Sequence, residues 1–268
     1  MRRTALLALA LVLAACGKSE DTRTLVITGA STIAPLMSEI ARRFETEHPG
    51  VRIDVQTGGS SRGVNDARQG TADIGMASRP ANPDEGDLHF YPIARDGVAV
   101  ILHASNTVGA LDSEQIRKIY RKQITNWSEV GGRDAPITVV NKAEGRSTLE
   151  LFLKHFELDA AAVKPDVVIG DNLQGIKTVA GNPDAIGYVS IGTAEYEATN
   201  GTPIKLLPLE GIAASTQEVL SGRFPLARPL HLVTKDEPAG VVRELIDFAS
   251  SPQVHDLVKE QYFVPLEG

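Results

Sequence analysis

The apolar positions of the chain change period as it is followed from residue 25. LVITGA (25–30) is a short apolar run of the kind a buried strand makes, and Leu36, Met37, Ile40 and Phe44 then recur at helical spacing. Ser31 or Thr32 is placed to cap that helix, with Pro35 in its first turn, and HPG (48–50) ends it. VRIDVQT alternates Val51, Ile53 and Val55, the period of a strand. GGSSRGV (58–64) turns into a second helix ending near Gly70, and ADIGMAS (72–78) is another strand. Strand and helix alternate in this way over about fifty residues, which predicts an α/β fold with a parallel sheet and helices on its faces.

The same alternation continues. VAVIL (98–102) reads as a buried strand leaving a first lobe. Asp112 or Ser113 starts a helix through Ile116, Ile119 and Tyr120. ITVVN (137–141) is a strand feeding KAEGRST, after which Leu149, Phe152, Leu153 and Phe156 mark one face of a helix. Further strands are expected at VVIG, IGYVSI, IKLLPL and LHLVT, and two C-terminal helices are separated at Ser251-Pro252.

The first residues follow another rule. MRRTALLALALVLAAC has two arginines, an apolar run from Ala5 to Val12 and then small residues, the pattern of a secretory signal. Leu13-Ala14-Ala15-Cys16 resembles the lipobox of bacterial lipoproteins, which implies cleavage after residue 15 and acylation of Cys16. Cys16 is the only cysteine, so no internal disulfide can form. The expected plan is a signal peptide (1–15), a lipidated N-terminus and tether (16–23), and a lipid-anchored domain in the cell envelope.

Loss of residues 1–15 removes Arg2 and Arg3 from the 27 basic residues and nothing from the 34 acidic ones, leaving a net charge of −9. That balance argues against a nucleic-acid partner. It also repels small anions at long range, so an anion site would need local dipoles and a few placed cations.

Such dipoles are suggested by one device used three times. A strand ends, a Gly/Ser/Thr turn follows and a helix begins, at GAST (29–32), GGSSRG (58–63) and EGRST (144–148). Helix N-termini present unpaired N–H groups and a partial positive charge, and hydroxyls add donors. No phosphate-binding Walker loop is present here, since Gly17-Lys18-Ser19 lies in the tether; Gly59-Ser60-Ser61-Arg62-Gly63 has the Gly-x-Ser-x-Gly spacing of a nucleophile elbow, but the sequence places no general base for it. The six histidines (48, 89, 103, 155, 231, 255) lie outside the turns and suggest no metal site. No catalytic carboxylate pair is evident, so neither an enzyme nor a cofactor is expected.

GASTIAPLM, QTGGSSRGV, GTADIGMASR, YPIARDGVAVILH, IRKIYRKQITNWSEVGG, VVNKAEGRSTLELF and AIGYVSIG occur in that order. Together they resemble the phosphate-binding proteins of bacterial phosphate ABC transporters. The resemblance implies a two-lobed periplasmic-binding-protein fold with the ligand in the inter-lobe cleft. It further implies inorganic phosphate as ligand, an ABC permease as partner and a monomer without catalytic activity. Lobe 1 is expected at 24–100 plus 232–268 and lobe 2 at 101–231. The family's contacts fall on Thr32, Ile33 and Ser60, with Ser31, Ser61 and Arg62 adjoining, and on Lys142, Arg146, Ser147 and Thr148 in the second lobe.

Two positions depart from the family. Its acid after Asp-Ile/Phe-Gly-x-Ser, which accepts the proton of hydrogen phosphate, is replaced: after Ser78 comes Arg79. Ser-Gly-Thr has become Arg146-Ser147-Thr148. Ser78, Arg79, Arg62, Lys142 and Arg146 are therefore expected to make a more cationic site, with Asp96 or Glu144 as replacement acceptor, unless Arg79 turns away to an acid such as Asp84. Another tetrahedral oxyanion (sulfate, molybdate, tungstate) and a phosphate-dependent sensor or adhesin are the alternative functions.

Overall fold

The computed structural model describes residues 22–266. The signal peptide and Cys16 lie outside the described residues. Among the described residues nine strands form the sheet: β1 (Arg23–Gly29), β2 (Val51–Thr57), β3 (Ile74–Ala77), β4 (His89–His103), β5 (Thr138–Lys142), β6 (Val167–Ile169), β7 (Ala185–Ser190), β8 (Ile204–Leu206) and β9 (Ala227–Thr234). The helices are α1 (Ala34–Glu47), α2 (Ser60–Gln69), α3 (Ser113–Tyr120), α4 (Ser147–His155), α5 (Asn172–Ala180), α6 (Ile191–Thr199), α7 (Thr216–Leu220), α8 (Val241–Ala249) and α9 (His255–Glu260).

The strand order is β2-β1-β3-β9-β4-β7-β5-β6, with β8 also on β4. β1 pairs in parallel with β2 and β3, as the opening alternation predicts, and β5 pairs in parallel with β6 and β7. Antiparallel β9 and β4 join these two α/β halves. β4 serves both: His89 to Gly97 pair with β9, and Val98 to Leu102 pair with β7. VAVIL is thus the second part of a much longer strand, and in that strand Asp96 lies opposite Arg228.

Each half has its own core. Leu25, Ile27, Met37, Ile40 and Phe44 meet Leu230, Leu232, Leu245 and Phe248 in the first. Tyr120, Trp127, Phe152, Phe156 and Tyr188 dominate the second, where Phe152 stacks on Tyr188 at 3.8 Å between ring centroids.

Candidate functional site

The three hydroxyl-rich turns all lie between the halves, and none of their helices carries a side-chain cap. α3, α5, α6 and α7 begin under side-chain caps from Asp112, Asp171, Ser190 and Ser215. α1, α2 and α4 have none, and neither do α8 and α9 away from the turns. The N-cap of α1 is Ile33 rather than Ser31 or Thr32, so those hydroxyls do not serve their own helix. Uncapped first turns keep their N–H groups and dipole charge available to an anion.

Backbone contacts hold the turns together. The Ser61 N–H donates to the Gly145 carbonyl across the cleft at 3.3 Å. Gly59 has φ 98°, and a Cβ there would stand 2.5 Å from the same Gly145 oxygen. Only glycine satisfies both demands.

Beneath the turns is a buried polar cluster. Ser60 Oγ donates to Ser147 Oγ at 3.0 Å and accepts from the Ser78 N–H at 3.1 Å, and Ser78 Oγ lies 2.6 Å from Ser147 Oγ. Arg228 enters from β9. Its Nη1 donates to Thr148 Oγ1 at 2.9 Å and reaches Ser78 Oγ at 3.4 Å; its Nη2 reaches Thr32 Oγ1 at 3.4 Å. Behind it Asp96 Oδ2 accepts from Nε at 3.1 Å and Nη2 at 2.8 Å, while Oδ1 accepts from the Gly192 N–H. Both side chains are sealed from solvent, at 0% and 1% exposure. Asn172 Nδ2 donates to Thr32 Oγ1 at 3.1 Å, and Lys142 Nζ donates to Asn172 Oδ1 at 2.9 Å. Burial, and then the charge of Arg228, push the Lys142 ammonium down to about 7. The cluster thus holds five rotatable hydroxyls, two basic side chains and one carboxylate that Arg228 and Gly192 already occupy.

Thr32, Ser60, Ser78, Lys142, Ser147 and Thr148 are brought together as the sequence suggests. Arg146 is the half-buried N-cap residue of α4, and its side chain passes beside Gly59 and Gly170 at the rim. Other candidates go elsewhere. The Ile33 N–H donates to the Ala30 carbonyl at 3.0 Å, and Ser31 lies on the wall of a neighbouring groove. Ser61 Oγ donates to Glu150 Oε1. Arg62 is about half exposed and pairs with Asp66 one helical turn on.

Arg79 is the largest correction. It is buried but turned from the hydroxyls: its fork takes both oxygens of Glu85, at 2.8 and 2.7 Å, and Nε sits 2.9 Å from Glu150 Oε2. Its partner is buried Glu85 rather than exposed Asp84, because Asn82 and Glu85 close a capping box that aims the Glu85 carboxylate inward. The extra cation expected after Ser78 is neutralised. Glu144 is exposed and Asp96 is bound to Arg228, so neither stands free as an acceptor.

Arg228 and Asn172 were not anticipated. Arg228 carries a signal in hindsight: Leu226, Arg228, Leu230 and Leu232 share the buried alternation of one strand, an unusual place for a cation. Asn172 carries none, since a polar residue after an N-cap aspartate is ordinary.

A family model described as a PBP superfamily domain matches residues 17–253. The chain belongs to the PBP superfamily. Within it, the phosphate-binding protein PstS of Bacillus subtilis (strain 168) is 28% identical over 255 residues, covering 93% of this chain and 83% of that protein. A putative phosphate ABC transporter substrate-binding protein from Clostridium perfringens, solved with bound phosphate, is 31% identical with a TM-score of 0.84, covering 91% of this chain and 100% of that one. An ABC-type phosphate transport receptor from Vibrio cholerae is 27% identical with a TM-score of 0.72, over 91% of this chain and 100% of that one. As in the PBP superfamily generally, two α/β lobes enclose the cleft where the polar cluster lies.

Proposed function

We propose that this PBP superfamily member binds inorganic phosphate outside the cytoplasmic membrane and delivers it to an ABC-type permease. The observation that carries the reading is the convergence of five buried hydroxyls with Arg228 and Lys142 beneath three uncapped helix N-termini. Hydroxyls that now bond one another can rotate to donate to a tetrahedral oxyanion, and Arg228 supplies two charge-assisted donors. The relatives named for phosphate binding support the same ligand. Thr32, Ser60, Ser78, Lys142, Arg146, Ser147, Thr148, Asn172 and Arg228 form the proposed site, with Asp96 as the positioning residue for Arg228. Hydrolysis is not proposed, because neither Ser60 nor Ser147 has a histidine or carboxylate hydrogen-bonded to its hydroxyl.

The protein acts as a monomer, tethered through acylated Cys16. Among the described residues no helix is long and apolar enough to cross a membrane. Mass spectrometry of the membrane-bound form tests this; an intact precursor carrying residues 1–15 and no lipid would refute it. Calorimetry with phosphate, sulfate and tungstate tests the ligand. About one phosphate is expected per chain, with no phosphatase activity. Absence of phosphate binding, or turnover abolished by Ser147→Ala, would overturn the receptor reading. Receptors for other oxyanions remain the second reading for one reason: among the described residues no free carboxylate faces the cluster to take phosphate's proton.

A further inference from the structure

Lys142 closes β5 with its side chain 3% exposed, and Asn172 Oδ1 is its side-chain partner. Among the described residues no carboxylate forms an ion pair with it. The charged groups that face it come from several elements. Arg228 on β9 and Arg146 at the start of α4 repel a proton; Asp171, capping α5, attracts one. Asp96 on β4 is held by Arg228 and the Gly192 N–H. On β7, the Tyr188 hydroxyl accepts from the Lys142 backbone N–H at 3.3 Å and donates to Asn141 Oδ1. An ammonium buried beside two guanidinium groups without a counter-ion sheds its proton readily. The depressed titration of Lys142, near neutrality, accords with that geometry.

The anion itself differs in one respect from its commonest competitor. Above neutrality phosphate is a dianion that still carries a proton, whereas sulfate is a dianion that carries none. We infer that Lys142 meets the ligand as a neutral amine and accepts the proton of hydrogen phosphate, making it the residue that selects protonated tetrahedral oxyanions over sulfate. The inference rests on the phosphate-binding reading above. The phosphate O–H donates to the lone pair on Nζ. If the proton crosses, an O–H bond breaks, an N–H bond forms, and trianion plus ammonium keep the same total charge of the pair. Nothing is exchanged with solvent. Sulfate can bind the same donors only if Lys142 first takes a proton from water, and that becomes about tenfold harder per pH unit above the amine's own titration. Arginine at this position could not play the part, because it does not deprotonate.

Calorimetry of the purified protein in two buffers of different ionisation enthalpy tests this, with inorganic phosphate and sulfate as probes at about pH 8 and about pH 9. Phosphate is expected to bind with net proton exchange near zero, and sulfate with uptake of about one proton. The phosphate-to-sulfate affinity ratio should rise about tenfold between the two pH values. In Lys142→Arg the ratio should be flat and sulfate should take up no proton. A flat ratio in the parent with tight phosphate binding overturns this inference and leaves the receptor reading intact. So does sulfate that fails to bind even at about pH 6, where the lysine is charged. Failure of both anions at every pH sinks the receptor reading as well.

Discussion

Arg228→Met removes the cation at the centre of the cluster and leaves Asp96 buried with only the Gly192 N–H. The pair is fully enclosed, with contacts of 2.8 and 3.1 Å on one carboxylate oxygen. Breaking such a pair from one side costs about 3–5 kcal/mol, because an uncompensated charge remains. For a chain of this size, each kcal/mol lowers Tm by about 2–4 °C, so a fall of roughly 6–20 °C is expected. Asp96→Asn added to Arg228→Met removes the stranded charge and should restore at least half of that loss. Binding should behave differently. Arg228 aims Nη1 and Nη2 at Thr148, Ser78 and Thr32, and two charge-assisted donors at about 1.5–3 kcal/mol each correspond to roughly 10²–10⁴ in affinity. The double variant should therefore regain stability and still bind phosphate as weakly as the single one. Thermal melts by near-ultraviolet circular dichroism, alongside calorimetry, separate the two effects. A single variant within about 2 °C of the parent, or a double variant that recovers both properties, would refute the reasoning.

Gly59→Ala places a methyl against the Gly145 oxygen of the opposite lobe at a positive φ, so the closed form should be disfavoured and phosphate affinity should drop about tenfold or more; unchanged affinity would mean the turns do not meet as described. Arg79→Ala should cost about 3 kcal/mol by stranding Glu85 while leaving the phosphate-to-sulfate ratio unchanged, whereas a shifted ratio would return Arg79 to the site. Burial works to raise the Glu85 carboxyl, but the Arg79 fork and the Asn82 N–H outweigh it and hold the group below its usual 4.5. Its stabilising contribution is therefore complete above that value and lost as pH falls through the lower folded value, so urea melts should show the parent losing stability in acid more steeply than Glu85→Gln.

The sequence disclosed elements whose causes are local. Leu36, Met37, Ile40 and Phe44 place α1 because helical spacing alone puts them on one face, and the Gly/Ser/Thr turns show where strands give way to helices. Their shared approach to one cleft needed tertiary structure. Arg228 stands 196 residues from Thr32 and 80 from Thr148, and only the antiparallel return of β9 between β3 and β4 brings it to them. Arg79 was misplaced for a related reason. Its chain position beside Ser78 pointed to the cleft, but which of several nearby acids captures a guanidinium depends on the capping box at Asn82 and on α4 arriving from the other lobe.

β4 passes through both lobes, and Asp96 sits opposite Arg228 on the last rungs of its pairing with β9, just before the chain crosses. The central cation is thus mounted on the strand pair that joins the lobes. Its counter-ion belongs to the same strand pair, so any displacement of one lobe against the other should leave the ion pair intact. On the phosphate-binding reading, the cation and the contact between the turns are then separate parts of the site. Hydroxyls reach the cation from either side, and those sides are joined where the turns at Gly59 and Gly145 meet.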